Sequence, residues 1–252
     1  MYWGIWTMKK LVTSIAAMAG LAFAAPAMAD PITLDSGDVG SSYTIDFDGF
    51  SGSSTGTVDG LTGTLILTLD SVSGSEYVFS YEVQNTTSDP LTSNISSFAF
   101  NVDPDISGAS STGAYSYSFV TDGRGSDPSY PNQIGQVDVC FKAKNSGSCS
   151  NGGGVSEGTS GTGTLSLFFD PNADQITLSD FFVRYQGITG AGHVTSATGQ
   201  QTSITTSGGT TTSGTPVPAP SMLALLALAL ASLGFIRRRR EDGEGTAQPA
   251  YA

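Results

Sequence analysis

The chain is poor in the side chains that most chemistry uses. It has one histidine, His193, and two cysteines, Cys140 and Cys149, which excludes a metal centre built from imidazoles and thiolates. A Ser-His-Asp triad would need His193 as its base, but the residue sits in Gly190-Ala-Gly-His-Val194, where the backbone is too flexible to hold one rigidly. Glutamates are also few between Asp30 and Pro220, namely Glu76, Glu82 and Glu157, and no two of them suggest the paired carboxylates of a glycosidase. A hydrolase is therefore the least supported class, and the reading is a non-enzymatic protein. Basic residues are scarce as well: ten Lys and Arg face 22 Asp and Glu, for a formal net charge of −12. Between Asp30 and Pro220 the basic residues are Arg124, Lys142, Lys144 and Arg184. Such a surface repels phosphate backbones and anionic headgroups, which excludes nucleic acid as a partner. Long apolar runs occur only near the two ends.

Those ends read as addresses. Met8-Lys9-Lys10 is a positive start, Leu11 to Phe23 a short apolar stretch, and Ala27-Met28-Ala29 a small-x-small cleavage site. Residues 1–29 thus read as an export signal cut after Ala29, with Met8 the expected initiator. At the other end Thr215-Pro-Val-Pro-Ala-Pro-Ser221 leads into an apolar run to Ile236, which stops at Arg237, Arg238, Arg239 and Arg240. The run, about sixteen residues, is near the minimum for a membrane span. Arginine costs roughly 2.5–3.5 kcal/mol at the bilayer centre, so four together hold that end on the cytoplasmic side. The expectation is a transmembrane helix over 221–236, an N-terminus outside and a cytoplasmic tail over 241–252.

Pro218 and Pro220, the segment Ser221 to Ile236 with Gly234-Phe235, and Arg237 to Arg240 together resemble the C-terminal sorting signal of PEP-CTERM proteins, here over 217–240. Ala219 stands where that signal usually has glutamate, and Glu241 to Ala252 extends beyond the usual end. The resemblance implies an exported bacterial protein handed to the membrane protease-transpeptidase exosortase at the inner membrane. A second likeness covers Val137 to Gly199: Cys140-Phe141, Cys149, Gly152-Gly-Gly-Val155, Leu178 to Gln186 and Ser196-Ala-Thr-Gly199 are similar to the cistern subgroup of those proteins. It implies no activity.

The middle of the chain reads as all-β. Apolar residues alternate with polar ones in short bursts bounded by Gly, Asp, Asn and Pro. The pattern predicts strands over Tyr43 to Phe47, Leu61 to Leu69, Tyr77 to Val83, Ile95 to Val102, Ala114 to Val120, Val137 to Phe141, Leu165 to Phe169 and Asp180 to Tyr185. That number of strands predicts a single β-sandwich over 30–194, jelly-roll-like. From Thr195 to Pro216 the chain is almost wholly Gly, Ser and Thr, which predicts a flexible stalk.

In an exported protein, Cys140 and Cys149 closing a short polar loop read as a disulfide. Arg184, the one basic residue in an aromatic strand, reads as pairing with an Asp or stacking on a ring. Aspartates gather in Asp46-Phe-Asp48, Asp103-Pro-Asp105, Asp122 to Asp127 and Asp170 to Asp174. Asp favours turns by bonding its own backbone, which accounts for such clusters. If one binds Ca²⁺, the candidates are Asp122 with Asp127 and Asp170 with Asp174; no other cofactor is expected. The function that follows is an exported envelope or matrix protein meeting extracellular polysaccharide. The alternative is an anchored Ca²⁺- or glycan-binding module using Tyr115, Tyr117 or Tyr130.

Overall fold

The computed structural model describes residues 31–52, 56–120, 129–145, 149 and 152–208. Fourteen strands cover most of them: β1 (Ile32–Asp35), β2 (Ser42–Phe47), β3 (Gly63–Ser73), β4 (Glu76–Asn85), β5 (Thr92–Asp103), β6 (Gly108–Ser111) and β7 (Tyr117–Val120). The second half of the chain adds β8 (Ser129–Tyr130), β9 (Gly135–Gln136), β10 (Val139–Lys142), β11 (Val155–Ser156), β12 (Ser160–Phe168), β13 (Gln175–Thr189) and β14 (Ser196–Ser207). The helical elements among the described residues are two single 3-10 turns, Ser36–Asp38 and Gly113–Tyr115.

Period-two burial shapes these strands. β4 alternates without a fault, burying Tyr77, Phe79, Tyr81 and Val83 while Ser80, Glu82 and Gln84 face outward. β3 does the same with Leu65, Leu67 and Leu69, and β2 with Tyr43, Ile45 and Phe47. Each such side chain contributes roughly 1.5–3 kcal/mol on full burial, so one aligned face per strand is enough to drive the fold. The strands follow one antiparallel path, β6-β12-β4-β3-β2-β14-β13-β5-β10-β7, with β1 added beside β13 and β11 beside β5. The two ends of the path meet: β6 lies alongside β7, and the Ser118 hydroxyl donates to the Ala109 carbonyl at 2.7 Å. The result is one nearly closed, sandwich-like sheet around a single main core.

Aromatic rings fill that core. Phe98 stacks on Phe141 at 5.1 Å between centroids and meets Tyr115 edge-on at 5.3 Å. Tyr115 enters from the turn Gly113–Tyr115, where Tyr81 fixes it. The Tyr81 hydroxyl accepts from the Tyr115 amide at 2.8 Å and donates to the Thr112 carbonyl at 2.7 Å. Gly113 is required in this turn, since its φ is +79° and a Cβ would run into the Thr162 carbonyl.

The stalk expected over 195–216 does not hold as far as Ser207; the rest of that span beyond Gly208 lies outside the described residues. Ser196 to Ser207 is β14, pairing first with β13 over Ser196 to Gln200 and then with β2 over Gln201 to Ser207, with a register shift between Gln201 and Ser203. It therefore joins the two halves of the sheet. Hydrogen bonds, rather than apolar burial, hold it: Ser203 Oγ donates to Asp46 Oδ2 at 2.7 Å, and Asp48 Oδ1 accepts from the Gln200 amide at 2.9 Å. Gly199 lets Val183 close over the strand, because a Cβ there would lie 2.6 Å from Val183 Cγ2. The sequence expectation failed because a strand with a solvated outer face and a backbone satisfied by two neighbours needs few apolar residues. β1, β6 and the short β8, β9 and β11 were also not expected.

Two predictions follow from this core. A chain ending at Thr195 should fail to fold cooperatively, whereas one ending at Gly208 should melt like the full chain, with circular dichroism and limited proteolysis as the readouts. Burial holds the phenols of Tyr115, Tyr130 and Tyr185 well above their ordinary value of 10.0. The unfolded chain releases these protons near about 10, so their stabilising effect is complete below that pH and is lost as pH rises beyond it. Phenolate absorbance from the three should appear only together with loss of β-structure.

Candidate functional site

β5 shows where the fold departs from a simple sandwich. Ser96 to Phe100 is buried on both faces. Phe98 and Phe100 enter the main core, while Ala99 lies in a second, smaller cluster with Tyr130, Val137, Cys140 and Cys149. A cover formed by β8, β9 and the chain up to Val137, with Cys149 beside it, roofs the outer face here.

Strand register lines up a row on that outer face. Lys142 on β10 faces Ser97 on β5, Ser97 faces Arg184 on β13, and Arg184 faces Thr198 on β14. With strands about 4.8 Å apart, the two cations flank β5 at a Cα separation of roughly 10 Å. Lys142 is 3% exposed and Arg184 5%. Lys142 Nζ lies 5.0 Å from the Phe119 ring centroid. With its amide oriented to match its neighbours, Asn132 Oδ1 accepts from Arg184 Nη1 at 3.2 Å and from the Thr198 amide at 3.0 Å. Arg184 Nε is buried without a hydrogen-bond partner among the described residues.

Burial lowers the pKa of Arg184, partly offset by the Tyr130 phenol. Burial likewise lowers that of Lys142. An Asp partner for Arg184, one of the two roles expected for it, is not found among the described residues; its Nη1 donates instead to Asn132 Oδ1. Ser97 fastens the cover from below. Its hydroxyl donates to the Cys149 carbonyl at 2.6 Å, and the Tyr130 hydroxyl sits 3.1 Å from Ser97 Oγ and donates to the Ser97 carbonyl at 3.2 Å.

The disulfide is present: Cys140 and Cys149 are joined with Cα atoms 6.1 Å apart, and both are fully buried. Closing so short a loop is worth about 2.5–3 kcal/mol in the chain-entropy model. Other expected residues lie elsewhere. Asp170 and Asp174 are exposed and sit in the turn before β13, where the Ala173 carbonyl accepts from the Tyr77 hydroxyl at 3.0 Å. Among the described residues no group of three or more His, Cys, Asp or Glu is arranged to hold a metal ion. Asp122, Asp127, Ala29, Pro218, Pro220 and Arg237 to Arg240 lie outside the described residues.

The aromatic glycan platform needs correction. Tyr115 and Tyr130 are fully buried, their hydroxyls bonded to Ile95 and Ser97, which leaves Tyr117 exposed of the three. His193 lies exposed in the loop before β14. Glu157 accepts from the Ser93 amide at 3.1 Å, and Glu82 accepts from Gln84 at 3.1 Å on the outer face of β4. The carboxylates are thus engaged locally. What sequence reasoning missed is the Lys142-Ser97-Arg184 row. Its one legible sign is Ser96-Ser97 set between Ile95 and the apolar Phe98-Ala-Phe100.

No helix among the described residues is long and apolar enough to cross a membrane. Comparison with protein-family models, with curated proteins and with solved structures finds no match to this chain.

Substitutions separate the roles in the row. Ser97→Ala leaves the buried Cys149 carbonyl without its hydroxyl donor, while Tyr130 keeps the Ser97 carbonyl, and should cost about 1–3 kcal/mol in urea unfolding. Arg184→Met removes a buried cation and should leave stability unchanged or raise it.

Proposed function

We propose that the chain is an exported, non-enzymatic protein of the cell surface or extracellular matrix. In this reading the signal ending at Ala29 directs export, and the C-terminal helix over 221–236 holds the protein in the inner membrane. Exosortase then recognises Pro218, Pro220 and Arg237 to Arg240 and releases the domain to the surface or to extracellular polysaccharide. The observation that carries the proposal is the ordered arrangement of prolines, apolar run and arginine block that follows the folded domain. Two features of the domain support it. The disulfide suits an oxidising compartment. Glu82 and Glu157 are engaged in local hydrogen bonds with Gln84 and Ser93, as suits a structural role.

The end of the last strand also shortens the connection that the sequence suggested. β14 ends at Ser207, so the connection to Pro218 is residues 208–217, much shorter than a stalk starting at 195. Fully extended, such a segment reaches about 30 Å. The test is the intact mass of the protein from its native host. Loss of the chain beyond Pro220 in the mature protein is expected. Mature protein that always keeps Ser221 to Ala252 would sink exosortase processing and leave a plain membrane anchor.

A further inference from the structure

A strand edge either meets a neighbour or presents unpaired amides and carbonyls, and β14 leaves one edge unmet. Its first residues, Ser196 to Gln200, pair with β13, and its last, Ser203 to Ser207, pair with β2. Over Ser203 to Ser207 no strand among the described residues lies on the side away from β2. Alternate residues of an antiparallel strand turn their backbone groups to opposite sides, so part of this run faces outward unpaired. The run is open to solvent: Ser203, Thr205, Thr206 and Ser207 are exposed, while Ile204 packs against the main core. Other edges of the described domain are short or closed. β6 lies alongside β7, β11 has two residues, and β1 has four and ends at Asp35. Edges are commonly blunted by a charge, a proline or a bulge. Ser203 to Ser207 has no charge and no proline, and the register shift between Gln201 and Ser203 falls before it.

We propose that this edge joins two copies of the chain: β14 of one pairs antiparallel with β14 of the other about a two-fold axis, continuing the sheet across both domains. The occupant has to be an extended strand with an unpaired edge of its own, because only that meets a row of amides and carbonyls. A second copy supplies the same row. A two-fold axis at Thr205 sets Thr205 opposite Thr205, Ile204 opposite Thr206 and Ser203 opposite Ser207. Each pair is uncharged, whereas like charges set opposite each other would oppose the contact. That neutrality decides the place on a chain with a formal net charge of −12, because β14 has no charged residue and two acidic copies meet there with less repulsion. The nearby carboxylate of Asp46 on β2 is occupied from within, accepting from Ser203 Oγ at 2.7 Å and from Thr64 Oγ1 at 3.1 Å. The inference goes beyond the sorting reading and stands whether or not the C-terminus is processed.

The experiment uses the full-length protein in detergent, with sedimentation velocity to measure association and hydrogen–deuterium exchange to locate it. A dimer is expected at about 0.1 mM chain. Between dilute and concentrated samples, exchange over Ser203 to Ser207 should slow by at least about tenfold, while β3 and β4 change by less than about twofold. Thr205→Lys sets like charges opposite each other at an exposed position and should raise the dimer Kd by at least about tenfold, although it makes the chain less acidic. The same change at exposed Thr162 on β12, Thr162→Lys, should move the Kd by less than about twofold, which separates edge pairing from a general effect of charge. If Thr205→Lys unfolds the domain, the concentration dependence of exchange in the unaltered chain decides. A chain that stays monomeric at that concentration overturns the proposal. So does a dimer that folded Thr205→Lys leaves intact, or one that forms without slowing exchange over Ser203 to Ser207, since the contact would then lie elsewhere on the chain.

Discussion

β5 has a neighbour on every side: β13 along one edge, β10 and β11 along the other, the aromatic core beneath and the Tyr130–Val137 cover above. A strand in that position can leave no polar group unmatched, because an unmet buried hydrogen-bonding group costs about 1–3 kcal/mol. Its sequence meets the demand. Phe98 and Phe100 point inward, and on the other side Ala99 is small enough to lie under the disulfide. Ser96 and Ser97 have hydroxyls that close onto the Arg184 and Cys149 carbonyls. A larger apolar residue at Ser97 would push the cover away, and a charged one would have no water to meet. The disulfide, the cover and the alignment of Lys142 with Arg184 all depend on β5 being flat and small on its outer side.

The same logic explains what could be read in advance. Strands whose outer face meets water announce themselves, since Tyr77, Phe79, Tyr81 and Val83 must alternate with Ser80, Glu82 and Gln84. The disulfide was legible from an even pair closing a short loop. β14 was not legible. Its twelve residues are polar or small apart from Ile204, and it stays in place because β13 and β2 both accept its backbone. Composition cannot separate such a strand from a tether, for the information lies in its neighbours. Strand order was hidden for a related reason. Counting strands suggested a jelly roll, yet which strands meet is decided by pairings such as β12 with β4 and β13 with β5, far apart in the chain. Tyr115 and Tyr130 misled because a tyrosine beside Gly, Ser and Pro reads as surface. Here each ring is drawn inside by a carbonyl for its hydroxyl, from Ile95 and Ser97.

The withdrawn cations change what the surface can meet. Of the four basic residues between Asp30 and Pro220, Lys142 and Arg184 are buried and Lys144 is exposed, while Arg124 lies outside the described residues. The exterior is therefore more acidic than the net charge of −12 conveys, because part of the compensating charge is inside. Like-charged polymers would be repelled at low ionic strength, with the repulsion reaching about 10 Å at 0.1 M salt. A polysaccharide partner under the proposed function is then a neutral one, or an acidic one bridged by divalent cations between exposed carboxylates such as Asp170 and Asp174.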